Sequence, residues 1–200
     1  MSNKEFNDLT EEIINNKVNK VKLLLERMSD EAINIKDDEG DTALHIASSY
    51  GYTDIVELLL ERMSDKAINS KNEYNKTALH LAISSGYISG YYGYPKIVKL
   101  LLAIYKSGYF GYPKMVKLLL ERMNDEAINS KTKDGDTALH LASYFGYTDI
   151  VKLLLEKISD EAINIKDDEG NTALHVASSK GHMDIVKLIE EKLHIKREMK

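Results

Sequence analysis

The 200-residue sequence has no cysteine and no long apolar run. Without cysteine, disulfides and thiolate metal sites are excluded. No run approaches the roughly 20 apolar residues that span a bilayer, and residues 1–16 lack the apolar segment of a signal peptide. We therefore expect a cytoplasmic protein, with delivery into a host cell as an alternative.

The remaining composition is that of a folded chain, with 43% apolar and 30% charged residues. A disordered chain could not bury enough apolar surface to offset its ordering entropy. The net charge of −5 disfavours a nucleic-acid partner, because nucleic-acid-binding domains usually carry a basic excess. Lysine outnumbers arginine 23 to 4, a bias that favours an AT-rich genome.

One short motif, Thr-Ala-Leu-His, occurs four times. It starts at Thr42, Thr77, Thr137 and Thr172, so the gaps between threonines are 35, 60 and 35 residues. A fixed period of this size is typical of a stacked repeat protein. The long middle gap marks an interruption of 25 residues.

The unit around the first motif predicts two helices and a loop. Gly40 suits a tight turn, and Thr42 is a good N-cap for a short helix from Ala43. Gly51 ends that helix, and Thr53 can cap a second one. The wide apolar stripe of the second helix indicates packing on both flanks. A further helical turn is predicted at residues 64–68.

This unit resembles the ankyrin repeat. The motif, the glycine after the first helix and the Ile-Val and Leu-Leu-Leu groups of the second helix carry the resemblance. Alanine replaces the proline that the family usually has after threonine, and the period is 35 residues where the family's is usually 33. The resemblance implies an all-α repeat solenoid whose motif histidines hydrogen-bond adjacent repeats. The residues given this structural role are Thr42, His45, Thr77, His80, Thr137, His140, Thr172 and His175.

We divide the chain into five repeats within a single domain, residues 1–200. The repeats are 5–36, 37–71, 72–131, 132–166 and 167–200. The first and last are polar on their outer faces, as terminal repeats need to be, so we expect both ends to be capped.

The third repeat carries the interruption, which we place at residues 87–111. Residues 89–106 and 107–124 are a tandem copy of 18 residues, and seven more lengthen the turn near 86–92. The second copy leads into the next loop, so we expect it to supply the true second helix. The first copy then forms an extra helix from Pro95, separate because Pro113 suits a first helical turn.

The chemistry of the interruption differs from that of the repeats. Residues 74–120 carry six lysines and no acidic residue, so the rest of the chain sums to −11. The segment is either a contact surface, since tyrosine gives large contact area at small entropic cost, or a duplicated helix with a solvated face. The residues of the proposed contact surface are Tyr87, Tyr91, Tyr92, Tyr94, Lys96, Lys99, Tyr109, Phe110 and Tyr112.

Catalytic and cofactor motifs are not found. The motif histidines recur once per repeat, too far apart to share a metal with bonds of about 2 Å. The acidic turns at 37–41 and 167–171 lack the alternating ligand spacing of a calcium loop. No glycine-rich phosphate loop is present. We therefore expect no enzyme activity, cofactor or metal.

The resemblance implies partner contacts at the loop tips and at the exposed side of the first helix. The predicted contact residues are Asp38, Glu39, Asp41, Tyr50, Glu73, Tyr74, Lys76, Lys133, Asp134, Asp136, Tyr144, Phe145, Asp168, Glu169 and Lys180. The aromatic ones rank first, because interface hot spots are enriched in aromatic residues. In the alternative interpretation, Tyr144 and Phe145 pack under the next loop.

The leading hypothesis is a monomeric, non-enzymatic protein-interaction module, an effector or adaptor of an intracellular bacterium. In the alternative, residues 87–120 tether the chain to an anionic membrane or an acidic partner, or mediate self-association with the acidic loops.

The tether hypothesis predicts that the protein floats with anionic liposomes at low salt and is released at high salt, because the attraction is electrostatic. Liposome flotation measures this directly. A protein that stays wholly unbound at low salt would exclude the membrane alternative, and a chain without residues 89–106 is the control.

Overall fold

The computed structural model describes residues 2–88 and 112–195, and its helices fall into three kinds. The first helices are α1 (Ser2–Ile14), α4 (Ala43–Tyr50), α7 (Ala78–Ile88), α10 (Ala138–Phe145) and α13 (Ala173–Ser179). The second helices are α2 (Val18–Arg27), α5 (Thr53–Arg62), α8 (Pro113–Arg122), α11 (Thr148–Lys157) and α14 (Met183–Ile195). Short helices follow four of them: α3 (Asp30–Ile33), α6 (Asp65–Ile68), α9 (Asp125–Ile128) and α12 (Asp160–Ile163).

The helices stack in two rows. In one row the first helices pack successively, α1 on α4, α4 on α7, α7 on α10 and α10 on α13. In the other row α2, α5, α8, α11 and α14 pack in the same order. The all-α repeat solenoid is therefore confirmed, and so is the prediction that the helix after Pro113 is the second helix of the third repeat. The repeat bounds and the single domain remain predictions.

A continuous apolar core runs between the two rows. Leu44, Leu79 and Leu139 of the first helices are buried against the second helices, where Ile55 and Leu59 have no exposed surface. Both flanks of α5 are covered, since α2 and α8 pack on either side of it. The stripe that was too wide for one buried face is thus explained by neighbours on both sides.

Three motif histidines are buried and reach a main-chain carbonyl further along the chain, which lies in the next repeat for His45 and His140 and at the end of the third repeat for His80. The main-chain N–H of Thr42 donates to His45 Nδ1 over 3.2 Å, which leaves the ring proton on Nε2. Nε2 then donates to the carbonyl of Lys76 over 3.1 Å. His80 reaches the Ser130 carbonyl over 3.1 Å, and His140 the Asn171 carbonyl over 3.0 Å.

Burial keeps two of these rings neutral. It lowers the pKa of His45 to about 4 from 6.5, against the opposing effect of the hydrogen bond to Lys76. Burial likewise lowers the pKa of His80 to about 4. A charged imidazolium is disfavoured in so dry a site.

Arginine side chains add a second set of bridges between repeats. Arg62 donates to the carbonyls of Leu25 and Met28 at the end of the preceding second helix. Arg122 donates in the same way to the carbonyl of Leu60. These carbonyls belong to the last helical turn, where no intrahelical donor is available.

Two local predictions were wrong. Thr53 does not cap α5; the helix begins at Thr53, and the N-cap is Tyr52, whose side chain makes no capping bond. The Tyr52 carbonyl already accepts from the N–H of Val56 over 2.9 Å, which moves the boundary back by one residue. The turn predicted near residues 86–92 is wrong for residues 86–88, because α7 continues through Gly86 to Ile88, and residues 89–92 lie outside the described part of the chain. An interior glycine costs a helix only about 1 kcal/mol.

The predicted extra helix from Pro95 lies outside the described residues. Most of the predicted contact residues of the interruption also lie there: Tyr91, Tyr92, Tyr94, Lys96, Lys99, Tyr109 and Phe110.

Two loop glycines show how closely one repeat packs against the next. Gly135 and Gly170 both adopt positive φ, +80° and +86°. A Cβ on Gly135 would meet the main-chain nitrogen of Asp168 in the next repeat, whereas one on Gly170 would meet nothing within 4 Å.

We expect Gly135→Ala to reduce the free energy of unfolding more than Gly170→Ala. Both changes carry a left-handed backbone cost of about 1–2 kcal/mol, and only Gly135→Ala adds overpacking of about 1–3 kcal/mol. Chemical denaturation of the two variants measures the difference. Equal losses would contradict this account of inter-repeat packing.

We also expect stability to fall as the pH is lowered from about 6.5 to about 4. In that window the unfolded histidines bind protons and the folded His45 and His80 do not. Each ring contributes roughly 3 kcal/mol to the loss. Burial raises the pKa values of Asp41 and Asp136, which titrate in the opposite sense.

The control is a His45→Gln, His80→Gln double variant, which retains those aspartates. Denaturant midpoints across the pH range should change less steeply for the variant. An identical slope in both proteins would show that these histidines do not govern the acid response.

Candidate functional site

The loops that join one repeat to the next, which we call fingers, are each organised by one side chain. Asp37 Oδ1 accepts the N–H groups of Glu39 and Asp41 over 3.0 and 2.8 Å. Asn72, Thr132 and Asp167 occupy the same repeat position and accept from their own tips in the same way. This position was not singled out from the sequence, although Asp, Asn and Thr share a short side-chain acceptor suited to turns.

Neighbouring fingertips are joined through their main chains. The N–H of Glu73 donates to the Glu39 carbonyl over 3.0 Å, and the N–H of Lys133 to the Tyr74 carbonyl over 3.1 Å. The first three tips therefore form one connected edge, in which a side chain of one finger has a fixed position relative to the next.

The predicted fingertip residues divide into two groups. Asp41 is half-buried and accepts from Asn72 Nδ2 over 2.8 Å, and Asp136 is half-buried as well. Lys76 is also partly buried. The other tip residues are exposed: Asp38, Glu39, Glu73, Tyr74, Lys133, Asp134, Asp168 and Glu169.

Burial raises the pKa of Asp41, while the hydrogen bond from Asn72 acts in the opposite direction. Burial also raises the pKa of Asp136. These two carboxylates are engaged with the fold, so the exposed group is the one available to a partner.

The ends of the first helices carry aromatic side chains. Tyr50 stacks on Tyr52 with ring centroids 5.5 Å apart. Tyr144 meets Phe145 edge-on at 5.1 Å, and the Lys180 ammonium lies 4.2 Å from the centre of the Tyr144 ring. Lys180 belongs to the following repeat, so Tyr144 is contacted by a neighbour and still keeps 45% of its surface exposed.

Phe145 differs from Tyr144, although both were predicted as contact residues. Its ring is half-buried, packs against the core and stacks on Tyr147 at 5.4 Å. Phe145 therefore packs against the core and Tyr147 of its own repeat, whereas Tyr144 is largely exposed.

A row of rings lies where the second helices begin, and of these only Tyr112 was singled out from the sequence, as a contact residue of the interruption. Tyr52, Tyr112, Tyr147 and His182 occupy equivalent positions, each directly after a glycine. The Tyr112 ring lies against Gly51, and the His182 ring lies against Gly146. Their common signal is the aromatic residue that follows glycine in each copy.

The described residues that flank the interruption lie away from the fingers. Ile88 ends α7 and Pro113 begins α8, whereas each finger precedes the start of a first helix. Tyr112, directly before α8, is half-buried.

No group of three His, Asp or Glu side chains in the described residues could hold a metal ion. Within 2–88 and 112–195, no helix has both the length and the apolar character needed to cross a membrane.

The two rows of helices, the fingers and the histidine bridges define a helical repeat protein. The family model for ankyrin repeats matches residues 10–109 and 103–198. The chain therefore belongs to the ankyrin-repeat family, as the motif predicted. No curated protein matches the sequence. Ankyrin repeats are generally protein–protein interaction modules and typically non-enzymatic.

Proposed function

We propose that this chain is a non-enzymatic, monomeric adaptor or effector that binds a protein partner in a cytoplasm. The contact surface consists of the exposed fingertip residues together with Tyr50, Tyr144 and Lys180 at the ends of the first helices. We call this set the finger surface.

The observation that carries the proposal is the exposure of three tyrosines that the fold does not require. Tyr50, Tyr74 and Tyr144 are 47%, 52% and 45% exposed. At the repeat position of Tyr144, the other three motif repeats have serine: Ser49, Ser84 and Ser179.

The same comparison applies to Tyr74, whose equivalents are Glu39, Asp134 and Glu169. The scaffold therefore accepts small or acidic residues at these positions. Tyrosine is a frequent interface hot spot because it offers large contact area with few rotatable bonds.

Charge favours a partner with a basic surface. Exposed carboxylates project from all four fingers: Asp38, Glu39, Glu73, Asp134, Asp168 and Glu169. Complementary charge raises association rates and orients the encounter more than it raises affinity. The tyrosines then supply the apolar contact that acidic residues cannot.

The motif histidines are poor candidates for catalysis. In His45, His80 and His140, one ring nitrogen contacts the capping threonine and the other contacts a main-chain carbonyl further along the chain. A general base needs a nitrogen within reach of substrate. These rings are committed to the fold, which supports a binding role.

The tether and self-association alternatives depend mainly on residues 89–111, outside the described part of the chain. They remain predictions from the sequence.

We expect Tyr144→Ser to weaken partner binding at least tenfold, because a buried interface tyrosine commonly contributes about 2 kcal/mol. Tyr50→Ser and Tyr74→Glu should act in the same direction. Each change installs a residue that another repeat carries at that position, so the fold should persist. Affinity is measured by calorimetry with a partner captured by crosslinking mass spectrometry.

The control is Leu23→Ala, which truncates a side chain of similar exposure, 51%, on the second-helix row. It should leave affinity unchanged. If all three tyrosine variants bind like the parent, the finger surface is not the interface.

A further inference from the structure

A groove runs between the short helices and the bases of the fingers, away from the fingertips. Its larger part, about 720 Å³, is lined by Lys36, Lys66 and Lys71 together with Asn69 and Glu126. A smaller part of about 300 Å³ shares four of these residues with it, so the groove extends towards the third repeat.

The groove is basic in an acidic protein. Three ammonium groups line the larger part against one carboxylate, that of Glu126, in a chain with a net charge of −5. Asp65 lines the smaller part, and its carboxylate lies 3.5 Å from the Arg122 guanidinium. The local excess of positive charge is therefore two.

Lys66 is the residue that makes this groove distinctive. At its position the other short helices have acidic residues, Glu31, Glu126 and Glu161. Lys36 and Lys71, by contrast, belong to a lysine position found at the base of every finger. Its members are Lys36, Lys71, Lys131 and Lys166.

The floor of the groove is fixed by bonds between repeats. Asn34 Oδ1 accepts from the N–H of Ser64 over 3.0 Å, and Asn69 Oδ1 from the N–H of Asn124 over 2.8 Å. Lys36 Nζ donates to the Lys71 carbonyl over 2.7 Å, and its two other N–H bonds remain for a ligand.

The asparagine amides of the groove are already hydrogen-bonded within the protein, so the lysine charges are the main groups that remain for a ligand. Asn69 Nδ2 donates to the Asp65 carbonyl over 2.6 Å, so both ends of this amide are engaged. Asn34 Nδ2 likewise donates to the Asp30 carbonyl. A ligand suited to this surface carries carboxylates and does not depend on these amides to pair its main chain.

We propose that this groove binds an acidic peptide in the polyproline II conformation, with a carboxylate at every third residue. Stacked helices lie about 8–10 Å apart, so the main chains at Lys36 and Lys71, which occupy equivalent positions in adjacent repeats, are displaced by about that distance. Three residues of a polyproline II helix advance about 9 Å and return to the same face. In a β-strand every third residue points to the opposite face, which would turn alternate carboxylates away.

The test uses fluorescein-labelled peptide of sequence (Glu-Pro-Pro)₄ and fluorescence anisotropy at low salt with the full chain. We expect saturable binding that weakens with salt. Lys66→Glu should weaken binding about fivefold or more, because an attraction becomes a repulsion. The variant restores the residue of the other short helices, and thermal melting confirms its fold.

The matched control is Lys187→Glu, which makes the same charge change at an exposed position of α14 where the second repeat has Glu57. It should bind like the parent. A permuted peptide with the four glutamates contiguous should bind more weakly than the spaced peptide.

Three results would overturn the proposal. One is an absence of saturable binding at low salt. Another is an equal effect of Lys66→Glu and Lys187→Glu, which would indicate attraction to overall charge. The last is a (dT)₁₂ oligonucleotide that binds with the same dependence on Lys66, which would assign the groove to nucleic acid.

Discussion

The hydrogen bond from a buried histidine to the next repeat's main chain is the constraint on which the array depends. The main-chain N–H of Thr42 fixes the tautomer of His45. The remaining ring N–H, on Nε2, donates to the Lys76 carbonyl in the next repeat. Such a bond in a dry site is costly to leave unmade. It therefore holds the end of the next finger, directly before Thr77, and so places the next threonine and histidine. After the interruption the acceptor differs, because His80 reaches the carbonyl of Ser130, which is the counterpart of Ser70 and not of Lys76.

The scaffold could be predicted because its rules are local and repeated. Threonine caps the first helix, glycine ends it and leucine packs in the core, each at a fixed distance from the motif. Because the pattern occurs in four copies, a helix boundary that is unclear in one copy is indicated by the others. Asparagine even follows the glycine rule: Asn16 and Asn75 adopt positive φ where other repeats have Gly51 and Gly40. The contacts that escaped prediction join side chains to distant main chain. Arg62 reaching back to Leu25 depends on how two helices stack, and neither helix signals it alone.

The candidate site was predictable in part for the same reason. Comparison between repeats identified Tyr144 as unnecessary to the fold, and Tyr144 is exposed. It could not separate Tyr144 from Phe145, because neighbours on a helix differ by about 100° in direction and only the packing decides which one faces inward. For Asp41, the sequence showed an acidic turn, whereas the half-buried contact with Asn72 required the next finger to be in place.

The two residues by which each repeat exceeds the usual ankyrin length have a structural use. They fall in the segment that forms the short helix, whose N-cap, Ser64 in the second repeat, accepts from the N–H of Ala67. The residue that ends this helix, Asn69, then receives the N–H of Asn124 from the third repeat. The lengthened segment thus adds a bridge between repeats and also creates the groove beside the fingers. The segment that carries the extra residues therefore contributes both cohesion between repeats and a surface distinct from the fingertips.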